Sequence, residues 1–466
     1  MNFNTTCKIK PELDPEFVPA VLWNRAYSAE VAKCAAKRDI VIALRRSNGT
    51  VSTRKTTIFP HEGEYAAANI KYVERLVKFL LWMKGGYEVT IAGCDALAKD
   101  LAKIYSEDGE RSFDYNIMGQ VIYGKPFAIK AVPLADAPES HEIQVKLGGH
   151  LDGCRIGFDL GGSDRKCAAV IDGKVVHTEE VEWNPYFEKN PEYHRQGIRD
   201  SIKRAADKLP RVDAIGGSAA GVYVDSHPRL ASLFRGISKD DFAKFIVNIF
   251  DEIRAEYNVP LIVANDGEVT ALAGAMSMNA VGVLGLSMGT SQAVGYVNME
   301  GNITDWLNEL AFAPIDYRDN APVDEWSGDG GCGAQYFSQQ AVARLAPAAG
   351  LNFPGDMKFP ERLVKVQELM NQNDPRAAAI YRTIGTCFGY AIAHYADFYD
   401  NDIHNLLILG RVTSGEGGQI ILDEARKVLD TEFPEVSKQI TFRTPDEKFK
   451  RHGQAVIAAS LPELAK

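Results

Sequence analysis

Residues 156–176 and 281–303 repeat one layout, and that repetition constrains the fold more than any other feature of the chain. In each, an apolar strand enters a turn of glycine with Ser or Thr, a second apolar strand follows, and a further glycine turn leads to a third strand. In the first copy the strand carrying Asp159 enters Gly161-Gly162-Ser163, runs on from Cys167 to Ile171, and reverses at Asp172-Gly173, a strong hairpin signal. In the second, Val281–Leu286 leads into Gly289-Thr290-Ser291, then Val294–Asn298 and Glu300-Gly301. Exposed backbone N–H groups at such turns bind anions, and an acidic residue beside them can hold a cation. Two such units predict two similar subdomains facing each other across a cleft. Each motif alone is equally a plain hairpin with a glycine bulge.

The remaining elements fall around these units. A short strand Ala214–Gly217 ends in Gly-Gly-Ser-Ala-Ala-Gly, and Asp240–Tyr257 has the spacing of an amphipathic helix. Pro260–Ala264 reads as a buried strand ending at Asn265-Asp266-Gly267, before a helix over Glu268–Met276. Leu406–Gly410 is a further strand, followed by a helix over Gln419–Leu429, and a last helix is predicted over Gly453–Leu461, packed on the first subdomain. Residues 1–145 read as a separate α/β unit. Its predicted helices are Ser28–Lys37, Tyr72–Met83 and Asp95–Tyr105, and its strands Ile40–Leu44, Thr56–Phe59, Tyr87–Ala92 and Val121–Val132. Ala135–His150 is the candidate linker.

With 466 residues, two or three domains are expected. A net charge of -10 argues against nucleic acid as the main partner. Seven scattered cysteines without a Cys-x-x-Cys pair fit a cytoplasmic protein with reduced thiols. No signal peptide and no membrane span is expected.

Taken in order, the segments from 154 to 466 resemble the actin-like sugar kinases, and within them the family of repressors, open reading frames and kinases (ROK). The matched motifs are Asp159–Ser163 with Lys166, the loop Gly217–Gly221, the pair Asn265-Asp266, the segment Asn308–Phe312, the turn Gly289–Ser291, and Leu406–Gly418 centred on Gly410. The resemblance implies two actin-like (ribonuclease-H-like) subdomains around a cleft, 150–275 plus 453–466 and 276–452, with an extra N-terminal α/β domain. It further implies ATP and Mg²⁺ as cofactors, a hexose such as glucose as substrate, and a homodimer.

On that resemblance Asp266 is the general base; by spacing alone it is as well a helix cap. Asp159 orients Mg²⁺ through water, or else satisfies turn amides. Gly161, Gly162, Ser163, Lys166, Gly289, Thr290, Ser291 and Gly410 are the expected nucleotide contacts, against outward-facing or turn roles. Asn265 and Glu309, with Ser218 as a weaker candidate, are the expected sugar ligands; Glu309 is otherwise a solvated surface group. The family's zinc loop is not matched: Phe312 stands at its His, and only Cys332 remains over 325–334. No zinc is expected, and hexose specificity is open. The leading function is an ATP-dependent sugar kinase. The alternatives are a sugar-responsive transcriptional regulator, with Arg45, Arg46, Arg54 and Lys55 on a wing-like hairpin, and a catalytically silent sugar-binding protein.

Overall fold

Hydrophobic strands separated by glycine turns build three main sheets. The structure, a computed structural model, describes all residues except 2, 143–146, 444–452 and 465–466, and the side chain of residue 48. Four residues of the expected linker, and the expected boundary at 452, therefore lie outside the described residues. The N-terminal elements are α1 (Ala20–Lys33), β1 (Arg38–Arg45), β2 (Val51–Ile58), α2 (Gly63–Lys84), β3 (Glu88–Ala92), α3 (Asp95–Ile104), α4 (Ser112–Asn116) and β4 (Ala128–Val132). Their sheet has the order β2-β1-β3-β4.

The central sheet is assembled from β5 (Cys154–Leu160), β6 (Asp164–Ile171), β7 (Lys174–Glu182), β8 (Ala214–Ala219) and β11 (Leu261–Asn265). Between them come α5 (Pro191–Ala206), the small hairpin β9 (Val222–Val224) and β10 (His227–Leu230), α6 (Lys239–Asp241) and α7 (Ile249–Tyr257). The order is β11-β8-β5-β6-β7, with β5, β8 and β11 parallel and β5-β6-β7 a meander. The helix α8 (Asp266–Met278) leaves β11 directly. The C-terminal sheet joins β12 (Val283–Met288), β13 (Gln292–Val297), β14 (Asn405–Leu409) and β15 (Thr441–Arg443) in the order β13-β12-β14-β15. It is covered by α9 (Gln339–Leu345), α10 (Phe359–Asn371), α11 (Pro375–Phe398), α12 (Gly415–Glu432) and α13 (Pro434–Gln439). The last helix, α14 (Gly453–Ala458), returns to the central sheet. A Cβ on Gly157 or Gly216 would lie 1.7 Å from the carbonyl of Ala455 or Ala458, so the glycines of β5 and β8 admit the helix backbone.

Four sequence expectations are corrected. The first helix is Ala20–Lys33, not Ser28–Lys37, because Pro19 opens it and residues 34–37 already turn. Over 121–132 only β4 is a strand; a π-helical turn occupies Ile117–Tyr123 and ends at Gly124 with φ +61°. The predicted Asp240–Tyr257 helix breaks into three pieces around a π-turn at Phe242–Ile246. In the second hairpin unit the third strand reduces to single bridges from Ile303 to Val297 and Leu147.

The N-terminal elements do not close a core of their own. Trp23, Tyr27, Phe79 and Trp82 belong to one hydrophobic cluster with Tyr317, Phe388, Tyr395 and Phe398. Phe79 stacks on Phe398 with ring centroids 3.7 Å apart, and Trp23 meets Tyr317 at 5.5 Å. The central sheet has a separate core around Phe158, Ile198 and Phe250.

Candidate functional site

The C-terminal ends of β5 and β11 place Asp159 and Asp266 on one side of the molecule, where open α/β sheets bind ligands. Asn265, not Asp266, is the cap of α8: its Oδ1 accepts from the N–H of Gly267 at 2.7 Å, while its Nδ2 donates to the carbonyl of Gly221 at 2.7 Å. The amide thus ties the 217–221 loop to the helix start, and part of its capacity as a sugar ligand is spent. Asp266, the first residue of the helix, shares that donor, its Oδ1 accepting from the Gly267 N–H at 3.0 Å, and is half-buried. It borders a cavity of about 260 Å³ between the start of α8, β12, β13 and Gln454 of α14.

Asp159 is buried, paired across the ladder with Lys166 on one side and Ser218 on the other. Its Oδ2 lies 3.6 Å from Lys166 Nζ, which also binds Asp164. Ser218 is fully buried, and its hydroxyl faces the Asp159 carboxyl and lowers it. Burial raises the Asp159 carboxyl, against the pull of Lys166. Burial, then the neighbouring Asp159 carboxylate, pushes Asp266 up to about 6. Burial, then Asp266, pushes Glu309 up to about 7. Glu268, two residues on and so on roughly the opposite face of α8 from Asp266, goes up to about 8 through burial, with Glu309 and Asp305 adding to it. These groups form one electrostatically linked line of carboxyls. Sequence reasoning missed Glu268 and Asp305; Glu268 had the signature of a helix-opening carboxylate and nothing more.

Glu309 is held by the N-terminal elements. Its N–H donates to the carbonyl of Trp82 and that of Asn308 to Met83, both at 2.9 Å, using the free carbonyls at the end of α2. Phe312 packs on Trp82 with centroids 4.5 Å apart and on Trp326 at 5.0 Å. The following loop is bound to α2 by buried ions: Arg75, Lys78 and Arg111 surround Asp329 at 3.3, 3.1 and 2.7 Å. Glu74 and Asp114 complete the network. Cys332, the remaining cysteine of this loop, is fully buried against Asp329. Among the described residues the one His/Cys/Asp/Glu group with metal-ligand spacing is Cys167, His177 and Glu179, on β6 and β7.

The glycine turns divide in character. Gly161, Gly162 and Ser163 form the β5–β6 turn, but a Cβ on Gly162 would fall 2.0 Å from the Tyr186 hydroxyl, so this glycine makes room for a tyrosine. At Gly410, φ +103°, a Cβ would fall 2.4 Å from the Met288 carbonyl, so the packing of β14 on β12 already requires glycine here. Gly289, Thr290 and Ser291 form the β12–β13 turn, where a Cβ on Gly289 would meet nothing nearer than 3.6 Å.

No protein-family model matches the chain, and no significant relative is found among curated proteins. Solved structures do match. The chain is similar in fold to a ROK hexokinase from Thermus thermophilus, with TM-score 0.51 and 17% identity over 66% of this chain and 96% of that one. It is equally similar to a ROK family transcriptional regulator, a homolog of the E. coli MLC protein, with TM-score 0.51 and 17% identity over 67% of this chain and 79% of that one. The architecture is therefore the actin-like α/β fold shared by ROK sugar kinases and a ROK regulator.

Proposed function

We propose that this chain, which shares the ROK fold, is an ATP-dependent kinase that phosphorylates a sugar hydroxyl, with Asp266 as general base. The observation that carries the reading is Asp266 itself: a carboxyl at a strand end that borders a cavity, shares the Gly267 N–H with Asn265 and is raised to about 6. Such a group is ionised at neutral pH yet basic enough to accept a hydroxyl proton as the oxygen takes the phosphoryl group. Glu309 and Asn265 would orient the acceptor hydroxyls, with Ser218 at the margin. Asp159, with the Ser218 hydroxyl and Lys166 beside it, suits a carboxylate that orients hydrated Mg²⁺. Mg²⁺ and ATP, when bound, supply the phosphoryl group and neutralise its charge. Gly289, Thr290 and Ser291 offer N–H and hydroxyl donors to phosphate, with Gly161–Ser163 facing them in role. Phe312 makes that side of the acceptor site apolar, so the hexose is left to experiment, glucose being the first to try.

The two lobes of this reading are residues 150–275 with 453–466, and 276–452. No helix among the described residues is long and apolar enough to cross a membrane. The regulator alternative loses support from its basic hairpin. Arg45 pairs with Glu88, Arg46 is buried against Glu142, and Arg54 donates to the Asp397 carbonyl and covers Phe398. A coupled ATP assay over a panel of sugars tests the proposal. Sugar-stimulated turnover that Asp266→Ala abolishes is the expected result; turnover surviving Asp266→Ala refutes the base, and turnover stimulated by no sugar refutes the kinase. A homodimer is proposed on the resemblance alone, and sedimentation equilibrium reads it directly.

A further inference from the structure

A second cavity, of about 420 Å³, lies where the N-terminal elements, the β9–β10 hairpin and the segment Thr304–Trp306 meet. That volume is in the range of small-molecule sites, about 300–1,000 Å³. Four of its lining residues carry a buried polar atom without a partner among the described residues: Arg46 Nε, Tyr223 Oη, His227 Nδ1 and Thr304 Oγ1. Buried polar atoms are ordinarily satisfied, and each exception calls for an explanation. Four of them line this one cavity.

The chemistry of the wall narrows the occupant. Arg46 is 2% exposed and fixed by Ser52 at 2.5 Å, Glu142 at 2.6 Å and Asp305 at 3.2 Å, so its charge is spent and its Nε remains a donor. His227 Nε2 is engaged by Asp251 at 2.8 Å, which leaves Nδ1 for another group. Tyr223 and Thr304 offer hydroxyls, which both donate and accept. Asp251 and Asp305 line the same space but are paired with Arg254 at 2.7 Å and Arg46 at 3.2 Å, so its charges are balanced within the protein. Tyr123, Tyr223 and Trp306 give it aromatic surface. Mixed donors and acceptors beside aromatic surface, with the acidic and basic groups paired to one another, match a neutral ligand dense in hydroxyl groups.

We propose that this junction cavity is a binding site for a neutral saccharide, separate from the Asp266 site and roofed by the N-terminal Arg46–Ser47 turn. The proposal does not depend on the kinase reading, because it is tested by binding without ATP. The full chain carrying Asp266→Asn and Glu309→Gln is titrated calorimetrically with a panel of neutral mono- and disaccharides that includes glucose and maltose. At least one sugar is expected to bind saturably. Thr304→Val and Tyr223→Phe each remove one unpartnered oxygen with little change of shape. Each should weaken that binding about fivefold to tenfold, the worth of one hydrogen bond. Neither should lower the unfolding midpoint, since an unsatisfied group is lost. Three results would overturn the proposal: no saturable binding by any sugar in the panel, binding unchanged by both substitutions, or inorganic phosphate displacing the sugar. If turnover fails in the coupled assay but this binding persists, the kinase reading falls and the saccharide site stands.

Discussion

The pH profile of sugar phosphorylation should follow a carboxyl near 6 rather than an ordinary aspartate. Asp266 is raised to about 6 by burial and by Asp159. With that midpoint about nine-tenths of the base is ionised at pH 7 and about one-tenth at pH 5, so kcat/KM should fall roughly tenfold over that interval. An aspartate at its ordinary value of 3.8 would lose less than about a tenth of its activity between the same limits. The assay is the coupled measurement of ADP release at subsaturating sugar and saturating Mg-ATP from pH 5 to 8, with coupling enzymes in excess at each pH. Glu309, pushed up to about 7, lies next to Asp266 and loses its own proton in the same window. Glu309→Gln removes that second titration and should leave a single ionisation on the acid limb. A rate flat from pH 7 down to 5 in both proteins would show that the environment does not raise the base, and the assignment of Asp266 would fail.

Two further outcomes follow from buried charge. Glu268 holds its proton up to about 8 in the fold, while the unfolded chain releases it near 4.5; the native state therefore binds more protons between these values, and stability declines as pH rises through the window. The ceiling is about 5 kcal/mol, so Glu268→Gln, which keeps an oxygen for the Asn308 amide, should be about 2–4 kcal/mol more stable than the parent at pH 8.5 and equal at pH 4.5 in chemical denaturation; equal slopes against pH would refute the burial. Asp329→Ala leaves Arg75, Lys78 and Arg111 short of one negative charge and should cost about 3–5 kcal/mol, with the KM for sugar rising while that for ATP holds; a KM change confined to ATP would show that the α2 contacts do not serve the acceptor side.

Local chemistry made much of this legible. The hairpins around Gly161 and Gly289, the strand ending at Asn265-Asp266 and the returning helix after Gly453 are written in short-range patterns of apolar residues, glycine and turn formers. What stayed hidden depends on partners far along the chain. Glu74, Arg75 and Lys78 look like the solvated face of a helix, and only the arrival of Asp329 turns them into a buried network. The role of Trp82 and Met83 is carried by backbone carbonyls, which have no sequence signature. Nor does spacing reveal that Gly162 yields to Tyr186 or Gly410 to Met288.

The hydrophobic cluster shared by α1 and α2 with α11 has a consequence for biosynthesis. Phe79 and Trp23 leave the ribosome before Phe398 and Tyr317, against which they pack and which follow only after the entire central sheet has been made. Contacts so distant in sequence close slowly, and apolar faces wait exposed in the interval. A nascent chain halted near residue 280 should bind a holdase chaperone through its first 130 or so residues, and lose that binding once synthesis has passed α11. Chaperone crosslinking to stalled chains reads this out, and protease resistance of the N-terminal elements in the shorter chain would contradict it.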